Sequence, residues 1–221
     1  MTRWLDLSVP VVTGMPVYPG DPEVTVSPAL RAPADGVNVL ALHLGSQSGT
    51  HVDAPYHIDD AWPRLDELSL SRFTGRAVVA DVRGLAPRSP ITPELLAPAL
   101  EAAASVQHPV LLLATGWSAH WGTDAYADHP WLTPAAAEAV VAAGVRTVAV
   151  DALSVDPSGP DADPVLPAHR VLCGAGGVIA ENLTHLDRLV GADDAEVFLF
   201  PLRLPGADGA PVRAVARLGG E

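Results

Sequence analysis

His51, Asp53 and His57 fall within one short run, Gly49-Thr50-His51-Val52-Asp53-Ala54-Pro55-Tyr56-His57. Imidazole nitrogen and carboxylate oxygen are ligands for borderline and hard divalent ions. In an extended backbone His51 and Asp53 point to the same side because side chains alternate, and a turn forced by Pro55 can fold His57 back toward them. The order H-x-D-x-x-x-H therefore permits a shared metal site, with a chance cluster of surface residues as the plain alternative.

A second group is His169 and Glu181, separated by a segment containing Gly174, Gly176 and Gly177. Glu181 follows the apolar Val178-Ile179-Ala180. An unpaired carboxylate at the end of a buried strand costs on the order of several kcal/mol, so a cation, a metal or several donors should lie near it. A salt bridge to an arginine such as Arg170 is the simpler reading. Nucleophilic chemistry has little to draw on: there is no G-x-S-x-G elbow, and the single cysteine, Cys173, reads as a small buried hydrophobe. The glycines near Gly174 lack a P-loop lysine. Trp117, Trp121 and Trp131 read as packing residues, and His108, His120, His129 and His185 as surface or capping residues. Asp151 and Asp156 flank Ser154 and either support the site from outside the ligand shell or close a turn.

These groups need a frame to hold them. Trp4 to Val9 alternates as a strand does, and Pro10, Gly14, Pro16, Pro19, Gly20 and Pro22 then make an irregular arm around Tyr18. Val39 to Leu44 reads as a strand delivering the chain to the His51 run, which reads as a loop because it is polar and broken by Gly49 and Pro55. From residue 76 the order becomes β-α-β-α-β. Strands are expected at Ala77 to Val82, Val110 to Ala114 and Val145 to Val150. Helices open at Thr92-Pro93 and Thr133-Pro134, the first kinked or shortened by Pro98 and the second closed by Gly144. Val178 to Ala180, Val197 to Phe200 and Val212 to Leu218 complete the strands of an α/β domain with mixed sheets.

A chain of 221 residues, 48% apolar and without a compositional break, fits a single domain over residues 1–221. The charge of -13 would repel nucleic acid and anionic membranes, so neither is an expected partner. One cysteine excludes an intrachain disulfide, and with no signal peptide or membrane span legible the expected setting is cytoplasmic.

The sequence resembles the cyclase family of metal-dependent hydrolases, which includes bacterial kynurenine formamidases and isatin hydrolases and has the signature H-x-G-T-H-x-D-x-P-x-H. Here that stretch is Gln47-Ser48-Gly49-Thr50-His51-Val52-Asp53-Ala54-Pro55-Tyr56-His57. The likeness continues through Ile91 to Leu96, Thr115-Gly116-Trp117, His129 to Leu132, Val150 to Pro157, His169, Glu181-Asn182-Leu183 and Pro211 to Ala216. It implies a fold of the swivelling β/β/α kind, a homodimer or homotetramer, and one or two zinc or manganese ions. By the family pattern His51 and Asp53 bind a first metal, Asp53 and Glu181 bridge to a second completed by His169, His57 is the general acid/base, and Tyr18 contacts substrate. Gln47 stands where the signature has its first histidine, and a neutral amide oxygen is a poorer zinc ligand than imidazole. It either coordinates through its carbonyl, favouring a harder ion such as manganese, or leaves a single metal or an inactive pocket. His43, four extended residues away at about 13 Å, is no substitute.

The chemistry implied is hydrolysis of a small amide, lactone or isatin-like ring by water that a divalent ion activates. Ring closure or dehydration of the polyketide type, and a non-catalytic metal-binding homologue, are the alternatives.

Overall fold

The computed structural model describes residues 2–159, 165–192 and 194–219. In chain order the strands are β1 (Arg3–Asp6), β2 (Thr25–Leu30), β3 (Val39–His43), β4 (His51–Asp53), β5 (Thr74–Asp81), β6 (Pro90–Ile91), β7 (Pro109–Ala114), β8 (Trp131–Leu132), β9 (Thr147–Val150), β10 (Val178–Glu181), β11 (Ala195–Phe198), β12 (Gly209–Pro211) and β13 (Val215–Leu218). The helices are α1 (Ala32–Asp35), α2 (Pro93–Ala103), α3 (Pro134–Ala142) and α4 (Pro167–Gly174).

Nine strands form one sheet in the order β1-β13-β11-β5-β7-β9-β10-β4-β12. The central β5, β7, β9 and β10 are parallel, and the flanking pairs are antiparallel. Helices α2, α3 and α4 each connect one parallel strand to the next. Right-handed crossovers that advance in one direction leave all their helices on one face. Alternation along the strands divides the interior accordingly. Leu111, Leu113, Val148, Val150 and Ile179 pack against Leu96, Val140 and Leu172 of the helices. Val110, Leu112 and Ala149 face the other way, into a core shared with Leu5 of β1 and Ala210 of β12. Those two strands are opposite edges of the sheet, so the sheet curls round this second core. The α/β architecture with mixed sheets expected from the sequence is the one observed. Among the described residues no helix is long and apolar enough to cross a membrane.

The caps behave as their residue types dictate. Thr133 Oγ1 accepts from the Ala136 amide at 3.1 Å to open α3, and Gly144 follows that helix with a φ of 80°. Pro98 does not shorten α2, which runs on to Ala103. Pro98 is exposed, so the carbonyl it leaves unbonded reaches water.

Two local expectations need correction, and one strand lies apart from the rest. The run at His51 is not a loop: His51–Asp53 is strand β4, fully buried between β10 and β12. The strand expected from Val39 is present as β3, lies outside the central sheet, pairs among the described residues only with β2, and is exposed throughout. The final strand begins at Val215, while Val212 makes an isolated bridge to Pro201 and a separate strand β12 precedes it.

Candidate metal and active site

In the antiparallel ladder of β4 and β10, His51 lies opposite Glu181 and Asp53 opposite Ile179. Residues opposed across a ladder share a face, as do residues two apart on one strand. His51, Asp53 and Glu181 therefore all point to the helical face, and one ligand atom from each lies within 4.8 Å of the others. From α4, His169 brings Nε2 to 3.4 Å from Glu181 Oε1 and 3.7 Å from Asp53 Oδ2. His51 Nε2 lies 3.5 Å from Asp53 Oδ1 and 3.7 Å from Glu181 Oε2. All four residues are buried.

The outer nitrogens are already committed. His51 Nδ1 donates to the Gly49 carbonyl at 2.8 Å, and His169 Nδ1 donates to Asp156 Oδ2 at 2.8 Å. Each ring thus turns Nε2 inward, the arrangement by which neighbouring acceptors orient metal-binding histidines. Asn182 steadies the same frame. Its Nδ2 donates to the Gly49 carbonyl at 3.0 Å and its Oδ1 accepts from the Tyr126 hydroxyl at 2.8 Å. Its φ of 57° is a conformation that asparagine tolerates better than most residues. Glu181 makes no ion pair with Arg170; its Oε1 accepts from the Val155 amide at 2.8 Å.

Asp53 tests whether these residues suit a cation. It is 1% exposed, yet neither carboxylate oxygen accepts a hydrogen bond. A buried carboxylate so placed needs a positive partner, and two carboxylates with two inward Nε2 atoms make an N,O donor set for a divalent ion. The field agrees. Burial alone would lower the pKa of His169, but the carboxylates of Glu181 and Asp53 and the hydrogen bond to Asp156 outweigh it, raising the ring to about 10. Burial likewise raises Asp53, but the His51 charge and the neighbouring His169 ring bring its carboxyl below the usual value, while burial lifts Glu181. Cys173, also on α4, is buried beside these carboxylates, and burial pushes its thiol far above the ordinary range.

The cluster opens into a cavity of about 410 Å³ lined also by the arm Pro16 to Asp21, Gln47, His57, Leu153, Ser154, Leu166 and Asn182. Tyr18 is half-buried there, and burial raises its hydroxyl pKa. His57 stands on a short turn at the rim, with Nδ1 3.3 Å from Asp208 Oδ2 and 3.1 Å from Gln47 Nε2. Burial would lower its pKa, but the Asp208 hydrogen bond and the Asp53 charge raise it overall. Asp208 is held far below the usual carboxylate range, chiefly by His57. Gln47 Nε2 donates to Asp208 Oδ2 at 2.8 Å, while its buried Oε1 has no donor.

Of the residues singled out in the sequence, the structure brings His51, Asp53, His169 and Glu181 into one cluster and sets His57, Tyr18 and Gln47 on the walls above it. His43 is exposed on β3. Asp156 holds His169 and also closes the first turn of α4. His129 is not a surface residue: it is 1% exposed, with Nδ1 donating to the Pro130 carbonyl and Nε2 at 2.8 Å from Ser158 Oγ. Sequence reasoning missed Asp208; its only local signal is an Asp-Gly step before β12, and its partners lie 151 and 161 positions away.

Comparison with known proteins accords with this geometry. The chain is 36% identical over 221 residues to a kynurenine formamidase of Salinibacter ruber, covering 96% of each, and 35% identical over 218 residues to one of Bacillus mycoides, covering 98% of each. In structure it is similar to an isatin hydrolase bound to the product analogue thioisatinate, with a TM-score of 0.87 and 21% identity, covering 99% of this chain and 93% of that one. Isatin hydrolase A from Labrenzia aggregata gives a TM-score of 0.83 at 24% identity, covering 98% and 94%; at such identities the likeness speaks for the fold. The Cyclase family model matches residues 5–157, and on that match together with these relatives the chain belongs to the cyclase family.

Proposed function

We propose that the chain is a metal-dependent hydrolase that cleaves a small amide, with the formyl amide of a kynurenine-type substrate as the leading candidate and lactones or isatin-like rings as further ones. The observation that carries the reading is Asp53, a buried carboxylate with neither oxygen hydrogen-bonded, facing two histidine Nε2 atoms and a second carboxylate. His51, Asp53, Glu181 and His169 would hold zinc or manganese. The close convergence of His51, Asp53 and Glu181 supports at least one ion, and Gln47 could offer a further ion only its neutral Oε1. A divalent ion bound there supplies Lewis acidity, polarising a carbonyl and lowering the pKa of water.

The residues of the chain supply the rest. The cavity is of small-molecule size, and Tyr18 presents a ring and hydroxyl on the wall contributed by the arm. His57, at the rim, takes the proton that water loses on attacking the carbonyl carbon and delivers it to the leaving nitrogen as the C–N bond breaks. The products are a carboxylic acid and an amine. The test is turnover: protein supplied with zinc or manganese should hydrolyse at least one member of a panel of aryl formamides, lactones and isatins, and His57→Ala should abolish it. No turnover across the panel overturns the reading.

We also propose that the chain assembles with itself, as a homodimer or homotetramer, in the cytoplasm. The ribbon of β2 and β3 supports the association: Leu40 and Leu42 are 60% and 61% exposed. Residues 37–44 carry no formal charge in a chain of net charge -13. Two copies of like charge meet most readily through such a face.

A further inference from the structure

We propose that Asp208 is a positioning residue for His57, that Gln47 in turn holds Asp208, and that the three together decide which ring nitrogen of His57 faces the substrate. The inference rests on the hydrolase reading of the same site.

Three polar atoms form a closed triangle: Gln47 Nε2 to Asp208 Oδ2 is 2.8 Å, His57 Nδ1 to Asp208 Oδ2 is 3.3 Å, and Gln47 Nε2 to His57 Nδ1 is 3.1 Å. An amide nitrogen only donates, an ionised carboxylate only accepts, and an imidazole nitrogen does either. Two arrangements therefore satisfy the triangle. With a proton on Nδ1, the ring donates to Asp208 and Nε2 keeps its lone pair as a base. With Nδ1 bare, the second amide hydrogen of Gln47 reaches it, and Nε2 carries the proton to be given away. A base that takes a proton on Nε2 and later gives it away uses the first arrangement before and after, and the doubly protonated ring in between is held against the Asp208 carboxylate; the second arrangement leaves no base facing the substrate.

The backbone fixes this contact. The Asp208 carbonyl accepts from the Ala54 amide at 2.7 Å, three residues before His57, and Gly209 pairs with Asp53. Around His57 no other side chain offers a hydrogen bond among the described residues. The His57 and Asp208 side chains are 27% and 35% exposed, and a partly solvated pair of this kind contributes little to folding. Nor does folding account for Gln47, whose buried Oε1 lacks a donor. Orienting His57 accounts for both residues.

The experiment uses zinc-loaded protein with ¹⁵N-labelled histidine rings, the His57 signals being assigned by their loss in His57→Gln. In the wild type, Nδ1 of His57 is expected protonated and Nε2 bare. Asp208→Asn should invert or average that pattern, lower kcat by about 10²-fold to 10⁴-fold with KM nearly unchanged, and leave zinc content and the thermal midpoint in place. Asp208→Glu, which keeps the charge, should recover at least about tenfold of the loss. Unchanged His57 signals in Asp208→Asn overturn the proposal, whatever the activity. Should the wild type turn over no amide, the hydrolase reading fails while the ring signals still decide this one. Asp208→Ser replaces the asparagine variant if that variant does not fold.

Discussion

Asp156 grips His169 at two points, its Oδ2 accepting from the His169 backbone amide and from Nδ1, each at 2.8 Å, while Oδ1 accepts from the Ala168 amide at 2.8 Å. One carboxylate thereby closes the first turn of α4 and sets the tautomer of the ring that turns Nε2 toward Asp53 and Glu181. Asparagine cannot make all three bonds, because its amide nitrogen accepts nothing. In Asp156→Asn, zinc affinity measured by chelator competition should fall about 10-fold to 100-fold, with about 1 kcal/mol lost from the helix cap. Undiminished affinity would remove Asp156 from any role in metal binding.

Asp53→Asn should abolish the response of stability to metal. Without metal, the His51 charge and the neighbouring His169 ring outweigh the desolvation of the Asp53 carboxylate, so removing its charge gives up a net favourable interaction. The expected order of thermal midpoints is metal-loaded wild type first, then metal-free wild type, then Asp53→Asn with or without metal. Metal at 100 times its dissociation constant should raise the wild type by about 2.7 kcal/mol. A variant that responds to metal as the wild type does would contradict the ligand assignment.

His129 gives the fold a pH dependence from outside the candidate metal cluster. Burial holds its pKa below the ordinary value; Arg88 adds to this, while the Pro130 carbonyl and the carboxylates of Asp128 and Asp156 oppose it. The unfolded chain, with an ordinary histidine near about 6.5, takes up a proton before the folded one does. The contribution of His129 is thus intact above that pH and is lost as pH falls below it. Urea titrations between pH 7 and 5 should show a shallower decline for His129→Asn than for the wild type, from a lower starting stability. Parallel declines would refute this.

Gly209 is a matter of close approach. A Cβ there would sit 2.5 Å from the Val52 carbonyl oxygen and 2.8 Å from Gln47 Nε2. Gly209→Ala must push β12 from β4 or displace Gln47, and should cost about 1–3 kcal/mol in chemical denaturation. A cost near zero would show that this edge of the sheet yields freely.

Replacing Leu40 and Leu42 together by glutamate should leave the fold intact, since both are exposed on a ribbon outside the central sheet. Sedimentation velocity should then report a smaller species than the wild type. If the wild type itself sediments as a monomer, self-association is wrong.

Much of the candidate site was legible before the structure because its residues are of few chemical kinds and fall in two groups, His51 with Asp53 and His169 with Glu181. The β-α-β-α-β core was legible from apolar runs between capped helices. Strand β4 was not, since a strand of three residues bearing two inward polar side chains has no hydrophobic pattern; its partners β10 and β12 make it a strand. Helix α4 was hidden for a related reason. Its buried stripe includes His169, a polar residue held there by Asp156 rather than by apolar character. Asp208 carries no local sign of its partner, because β12 brings it to His57 from 151 positions away.

That last arrangement bears on how the protein comes into being. Gly49 meets Asn182 across 133 positions, and Gln47 meets Asp208 across 161. Contacts so distant along the chain close late and slowly. A nascent polypeptide that has already emitted His51 and Asp53 has no place for an ion until β10 arrives, and no oriented His57 until β12 follows. Metal capture should therefore trail translation and mark the end of folding, so that an early ion cannot template a partial structure.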